Sequence, residues 1–187
     1  MKRFIGSKIT RIVLLVAVLA VVLLGYTILM ARIAPGNPPA ALEADKQADE
    51  LHVYKASRRM DLLRAHQVIA SYRISLGRGA NAGAKQREGD GRTPVGTYVI
   101  DWRNRRSFDY LSLHISYPSP EDSQRAKGAG YSAGGNIMVH GLPNGWGWLG
   151  GIHHLWDWTD GCIAVTNAQM REIWALVPNG TPITIEP

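Results

Sequence analysis

From Leu51 to the end of the chain, short stretches of alternating apolar and polar residues recur between turn-forming residues, and that period of two is the mark of half-buried β-strands. Leu51–Lys55, Met60–Arg64 and Val68–Leu76 predict an opening meander, with breaks at Ser57–Arg58 and His66–Gln67. Leu111, Leu113 and Ile115 share an apolar face while Ser112, His114 and Ser116 point the other way. Further strands are predicted at Gly96–Trp102, Asn136–His140, Cys162–Val165 and Pro182–Glu186. One helix stands out near the C-terminus: Asn167 is a suitable N-cap, Met170, Ile173, Trp174 and Val177 follow at helical spacing, and Pro178 with Gly180 ends the run. The pattern predicts a mainly β body with one clear helix. Gly- and Pro-rich stretches at 77–96, 117–135 and 141–151 predict long loops, and long loops are often functional.

A different pattern precedes this body. Ile12 to Met30 is an uncharged run, apolar all round, that as a helix is roughly 28 Å long, close to the thickness of a bilayer core. A soluble core helix would carry a polar stripe. Lys2, Arg3, Lys8 and Arg11 precede the run and only Arg32 follows closely, which predicts the N-terminus in the cytoplasm and the rest of the chain outside. A cleaved signal peptide is the rival reading. The run exceeds the roughly 7 to 15 apolar residues of a signal peptide and shows no clean small-x-small site, which favours an uncleaved anchor. Residues 34–50, APGNPPAALEADKQADE, lack apolar periodicity and read as a tether. The predicted organisation is a cytoplasmic basic segment (1–11), a transmembrane anchor (12–31), a linker (32–50) and one folded domain (51–187), long enough for a core without disulfides.

Charge narrows the function. The chain has 21 Lys and Arg against 15 Asp and Glu, but five of the basic residues lie at or before Arg32, leaving 16 against 15 beyond it. That balance does not supply the basic face a nucleic-acid binder needs. Residues 53–106 carry 12 basic and 4 acidic groups, an asymmetry that either orients an anionic polymer or sits on solvated strand faces without specific purpose.

The lone Cys162 then matters, because an exported chain usually pairs its thiols. Either it is buried and inert or it does chemistry. Ile137–Gly141 is an apolar strand ending in a histidine at a glycine, and Trp158–Val165 is a polar turn delivering a cysteine onto a strand. Cysteine plus histidine is the minimum apparatus for acyl transfer, since the imidazole accepts the thiol proton and the thiolate attacks. The amides of Gly161 and Cys162 are candidates to hold a developing oxyanion, and the Gly141 carbonyl or its neighbours to orient the imidazole.

His140-Gly141 followed by Thr159-Asp160-Gly161-Cys162-Ile163 resembles the signature of the L,D-transpeptidase (YkuD-like) catalytic-domain family. Gly89–Tyr98 is similar to that family's upstream turn and strand, and Gly180–Ile183 to its closing strand. The resemblance covers most of 51–187 and implies an L,D-transpeptidase-like β-sandwich or barrel. It implies that Cys162 is the nucleophile and His140 the general acid and base, with peptidoglycan stem peptides as substrate, no cofactor and no metal. It also implies a bacterial cell-envelope location outside the cytoplasmic membrane, and labelling of Cys162 by carbapenem-type β-lactams. The sequence departs from the family pattern at Asp160, where His is frequent, and near Ala164 and Val165, where Arg or Asn is frequent.

Most other candidates carry two readings. Thr159 is a candidate substrate contact, and Asp160 a specificity residue or a turn-former; Arg92 grips a substrate carboxylate or pairs with Asp90 or another carboxylate; His153 and His154 are the next choice for the base after His140, with His154 a candidate substrate contact, or one of the two is a surface group. Trp158 belongs to a set with Trp146, Trp148 and Trp156 that either shapes the cleft or packs its loop onto the core. His114, on the polar face of a strand, is a cleft residue or a structural one. Three functions compete: transpeptidation; hydrolysis of the same bonds by a carboxypeptidase or endopeptidase; and non-catalytic wall binding. A zinc hydrolase built on His140, His153, His154 and Cys162 lacks the spacing of a paired ligand framework.

Overall fold

The computed structural model describes residues 2–187, with side chains from Lys8 onward, so the basic side chains of Lys2 and Arg3 lie outside the described set. Helix α1 (Lys2–Ile33) comes first, and over Lys8–Ile33 it is long and apolar enough to cross a membrane. The body then supplies β1 (Glu50–Tyr54), β2 (Arg59–Arg64), β3 (Gln67–Arg73), β4 (Gly96–Asn104), β5 (Ser112–Ile115), α2 (Pro120–Gly128), β6 (Met138–His140), β7 (Ile163–Ala164), α3 (Asn167–Leu176) and β8 (Pro182–Glu186).

The strands form one eight-stranded mixed sheet in the order β3-β2-β1-β8-β4-β5-β6-β7. β1 runs parallel to β8 and β6 parallel to β7, and the other neighbours are antiparallel. Beyond β3 the chain returns to the far edge, where Ser75 and Ala164 exchange backbone hydrogen bonds of 2.9 and 2.8 Å and Gly77 bridges to Thr159. The sheet thereby curls into a half-barrel around Leu51, Leu62, Ile100, Leu113, Val139 and Ile163, all fully buried. The expected mainly β class fits only roughly: helix occupies 33% of the chain and strand 24%, because α1 alone takes 32 residues.

Most expected strands coincide with observed ones to within a few residues. The helices need two corrections. α3 starts one residue earlier than expected, since Thr166 and not Asn167 is its N-cap: the Thr166 hydroxyl accepts from the Gln169 amide and the Gln169 side chain accepts from the Thr166 amide. Its apolar face, Met170, Ile173 and Trp174, closes over the sheet. α2 lies inside the stretch read as a loop. Ser119-Pro120-Glu121-Asp122 starts it with a reciprocal cap and a proline in the first turn, and Asp122 is buried against the Tyr98 hydroxyl at 2.9 Å.

Candidate active site

β6 and β7 lie side by side with Val139 opposite Ile163 and His140 opposite Ala164. Their register sets the site: His140 ends β6, and Cys162 immediately precedes β7. The hydrogen bond from the Val165 amide to the His140 carbonyl, 3.0 Å, and the Ser75–Ala164 pair hold β7 from both sides. His140 and Cys162 share a cleft of about 220 Å³ with Phe108, Asp109, Asn136 and Ser112.

His140 is 4% exposed. Its Nδ1 donates to the Gly141 carbonyl oxygen at 2.6 Å and lies 3.9 Å from the Asp109 carboxylate. Trp158 meets the ring edge to face, with centroids 5.7 Å apart. Burial alone would lower the imidazole pKa. The hydrogen bond and charge of Cys162 outweigh it, with Asp109 and the Gly141 carbonyl adding to them, and raise the value to about 9. Cys162 is half-buried, and its sulfur also faces the Asn136 carbonyl at 3.6 Å. Asn136 is held at φ +54°, a left-handed conformation that asparagine tolerates better than most residues and that turns this carbonyl toward the cleft.

The turn before Cys162 is closely fitted. The Thr159 hydroxyl accepts from the Gly161 amide at 3.2 Å and donates to the Cys162 carbonyl at 2.7 Å, stapling the turn across its base. Gly161 has φ +130°, and a Cβ there would come within 2.7 Å of the Arg92 carbonyl oxygen. A Cβ at Gly77 would in turn sit 2.8 Å from the Gly161 Cα, so the 77–96 loop buttresses the cysteine turn through glycine contacts. That loop is locked from inside by buried Lys85 and Asp90, 2.9 Å apart. Asp90 also accepts from the amides of Gln86, Arg87 and Arg92. Burial works against ionisation of Asp90, but these donors prevail and bring its pKa down to about 2.

The structure brings Cys162, His140, Gly141, Gly161, Thr159 and Trp158 together and sets the remaining candidates apart. Thr159 is buried within the turn. Asp160 is exposed and pairs with Arg78. The Arg92 backbone touches Gly161, while its side chain faces a separate polar pocket with Arg87, Arg125 and Tyr131. His154 lies against His153, with ring centroids 3.8 Å apart and planes inclined at 43°, and His153 is buried against Ser75 and Trp158. His114 pairs with Asp101 at 2.6 Å and stacks on Trp102. Sequence reasoning passed over Asp109, Asn136 and Asn167. The Asn167 side chain accepts from the Leu142 amide at 2.8 Å and lies so close to Gly141 that a Cβ there would come within 2.7 Å of it. No local pattern marks Asp109 or Asn136, because each reaches the site by tertiary approach.

The family model of the L,D-transpeptidase catalytic domain (YkuD) matches residues 48–185. The chain belongs to that L,D-transpeptidase family. Among curated relatives, YafK of Escherichia coli K12, whose designation as an L,D-transpeptidase is provisional, is 30% identical over 135 residues. The match covers 68% of this chain and 46% of YafK, so the chain spans about half the length of the curated relative it matches. Two solved structures share the fold. The helical cell shape determining protein Pgp2 of Campylobacter jejuni aligns with a TM-score of 0.57 at 22% identity, over 81% of this chain and 52% of that one. Bd1075 of Bdellovibrio bacteriovorus aligns with a TM-score of 0.52 at 20% identity, over 82% of this chain and 52% of its own.

Proposed function

We propose that the chain is a membrane-anchored, cysteine-dependent acyl transferase acting on the stem peptides of peptidoglycan. Residues 51–187 form its catalytic domain, 32–50 its tether, and 12–31, within α1, its uncleaved anchor. The observation that carries the reading is the imidazole of His140. Its Nδ1 is fixed on the Gly141 carbonyl, which leaves the other ring nitrogen for the Cys162 sulfur, and beside that sulfur it keeps its proton to about pH 9. An imidazole that has taken the proton of the neighbouring thiol and holds it as an imidazolium stabilises the thiolate, which is the nucleophilic form.

In this reaction the Cys162 thiolate attacks the carbonyl carbon joining the third stem residue to the following D-residue. The C–N bond breaks, the leaving amine takes a proton from His140, and a thioester remains on Cys162. An acceptor amine then gives its proton to His140, attacks the thioester carbon and expels the thiolate. The Gly161 amide is engaged by Thr159, so the oxyanion role falls to the Cys162 backbone N–H. Asp109 strengthens the proton hold of His140 from the solvent side.

Incubation of the full-length protein with tetrapeptide muropeptides, followed by mass spectrometry, tests the reaction type. Cross-linked dimers are expected. Trimmed monomers alone would make water the acceptor and the enzyme a carboxypeptidase, and neither product would discard acyl transfer on this substrate.

A further inference from the structure

The loop between the two site residues has a character the chemistry does not use. From Leu142 to Trp156 it contains no Asp, Glu, Lys or Arg. Within it, two short 3₁₀ turns over Gly147–Leu155, separated by a kink at Gly150, and the residue that follows expose apolar side chains: Trp148 is 70% exposed, Ile152 52%, Leu155 74% and Trp156 53%. Leaving such a group of apolar side chains in water costs free energy roughly in proportion to its area, at about 25 cal/mol per Å².

The position of this loop is fixed by the last turns of α1. The Tyr26 hydroxyl donates to the Gly145 carbonyl at 2.8 Å, the Trp146 indole donates to the Thr27 hydroxyl at 3.3 Å, and the two rings meet edge to face at 5.9 Å. The Asn144 amide reaches the Ala31 carbonyl at 3.5 Å, and Met30 packs so tightly on Gly145 that a Cβ there would overlap it. If Ile12–Met30 fills the hydrocarbon layer, then Tyr26 lies within about 6 Å of its outer boundary at about 1.5 Å of rise per residue. Whatever touches Tyr26, Thr27 and Met30 sits at that height. An apolar cleft of about 260 Å³ opens between Thr27 on one side and Trp146, Leu149 and Trp156 on the other. Indole rings prefer this layer, where their apolar body and N–H are both accommodated.

We propose that the 147–156 segment is a second, monotopic membrane contact, inserting Trp148, Ile152, Leu155 and Trp156 into the outer interfacial layer of the bilayer that α1 crosses. The proposal rests on α1 being the anchor described above. His153, the one buried titratable group of the loop, is held neutral at physiological pH because burial and the neighbouring His154 and His140 bring its pKa down to about 4, and burial with the nearby Arg73 lowers that of His154, so the loop itself brings no charge into the layer; the Arg73 guanidinium, which donates to the His154 carbonyl at 3.3 Å, is left at its edge. Since the loop begins at Gly141 and ends at Trp158, the contact fixes the height of the His140–Cys162 cleft above the membrane. Phe108, which is 71% exposed and lines that cleft, lies on the same side, its carbonyl accepting from the Asn144 amide at 2.8 Å.

The test uses the full-length chain with Cys162→Ser as a labelling background, reconstituted into phosphatidylcholine–phosphatidylglycerol vesicles. An environment-sensitive fluorophore is placed at Leu155→Cys or, as control, at Val68→Cys, an exposed position on edge strand β3 beside the turn where Ala65 meets Asp49 at the far end of the tether. Both proteins are expected to float with the vesicles, and the Leu155 probe to be blue-shifted and at least about twofold more quenched by brominated acyl chains than the Val68 probe. Flotation with equal quenching at the two positions would overturn the loop contact while leaving the anchor in place. Loss of flotation would remove the anchor and the inference together. A Leu155 probe that responds to soluble peptidoglycan fragments but not to lipid would assign the surface to the glycan and overturn the membrane contact.

Discussion

At one end of the sheet β1 pairs with β2 over five residues and β2 with β3 over six, whereas at the other β6 and β7 pair over only two. The long-stranded end is regular, with alternating burial along β1 and a core of Leu51, Val53, Met60 and Leu62. The short-stranded end carries His140 and Cys162, and is held by a threonine staple, glycine contacts and a return of the chain past β3. The difference shows how stability and chemistry are separated. Long strands supply burial, while short ones set buried His140 and half-buried Cys162 at a strand end, where they line one cleft and are fixed in register.

The largest effect that would break this comparison is chemical. Cys162→Ala should remove turnover of muropeptides by about 10⁴-fold or more while leaving the fold intact, because the residue is half-buried and outside the core cluster; the thermal midpoint falls only by the share of stability that the sulfur lends to protonated His140. His140→Gln is expected to lower kcat by about 10² to 10⁴-fold, the range of a general acid–base. At the opposite end, Leu62→Ala should destabilise the fold by about 2–5 kcal/mol in denaturant titration, since the side chain is fully buried, and leave kcat of the remaining folded enzyme unaltered. Gly161→Ala sharpens the comparison because it acts on the turn itself. Its positive φ and the Arg92 carbonyl should together cost on the order of 1–3 kcal/mol, with kcat falling more than KM rises as Cys162 moves.

The smallest effects are in pH. The His140 pKa, raised from 6.5 to about 9, gives stability that is complete below 6.5 and lost as pH rises through 9. His153, depressed from 6.5 to about 4, gives stability that is complete above 6.5 and lost as pH falls toward 4. Denaturation midpoints should therefore fall off on both sides of about pH 6.5, and Cys162→Ser should flatten the alkaline side, because the sulfur's hydrogen bond and charge are the largest causes raising His140. The alkaline limb of activity is expected near pH 9, where His140 loses the proton it gives to the leaving amine.

Alternation made strands legible where one face lies on the core, as in β1 and β8, whereas edge strand β3 leaves Val68 and Ile69 exposed. The order of the strands was not, since the parallel pairings of β1 with β8 and β6 with β7 join segments far apart in sequence and leave no local trace. α2 escaped notice because its only buried residues are Asp122 and Ala126, too few to set an apolar period, although Ser119 to Asp122 held its cap signature in plain view. The meeting of Cys162 and His140 in one cleft was legible through their chemistry and the resemblance around them. Asp109 and Asn136 were not, because a carboxylate and a left-handed asparagine in loops look alike wherever they stand. Trp146 was ambiguous for a related reason: its partner, Thr27, lies more than a hundred residues away on α1.

The account turns on the sulfur of Cys162 forming the bond to the acyl group. Mixing the full-length protein with a tetrapeptide-stem donor, quenching in acid within one turnover and mapping the adduct by peptide mass spectrometry measures this directly. The account predicts an acid-stable, hydroxylamine-labile adduct of the donor acyl group on Cys162. An adduct on another residue, or product formation by Cys162→Ala at the wild-type rate, would contradict it.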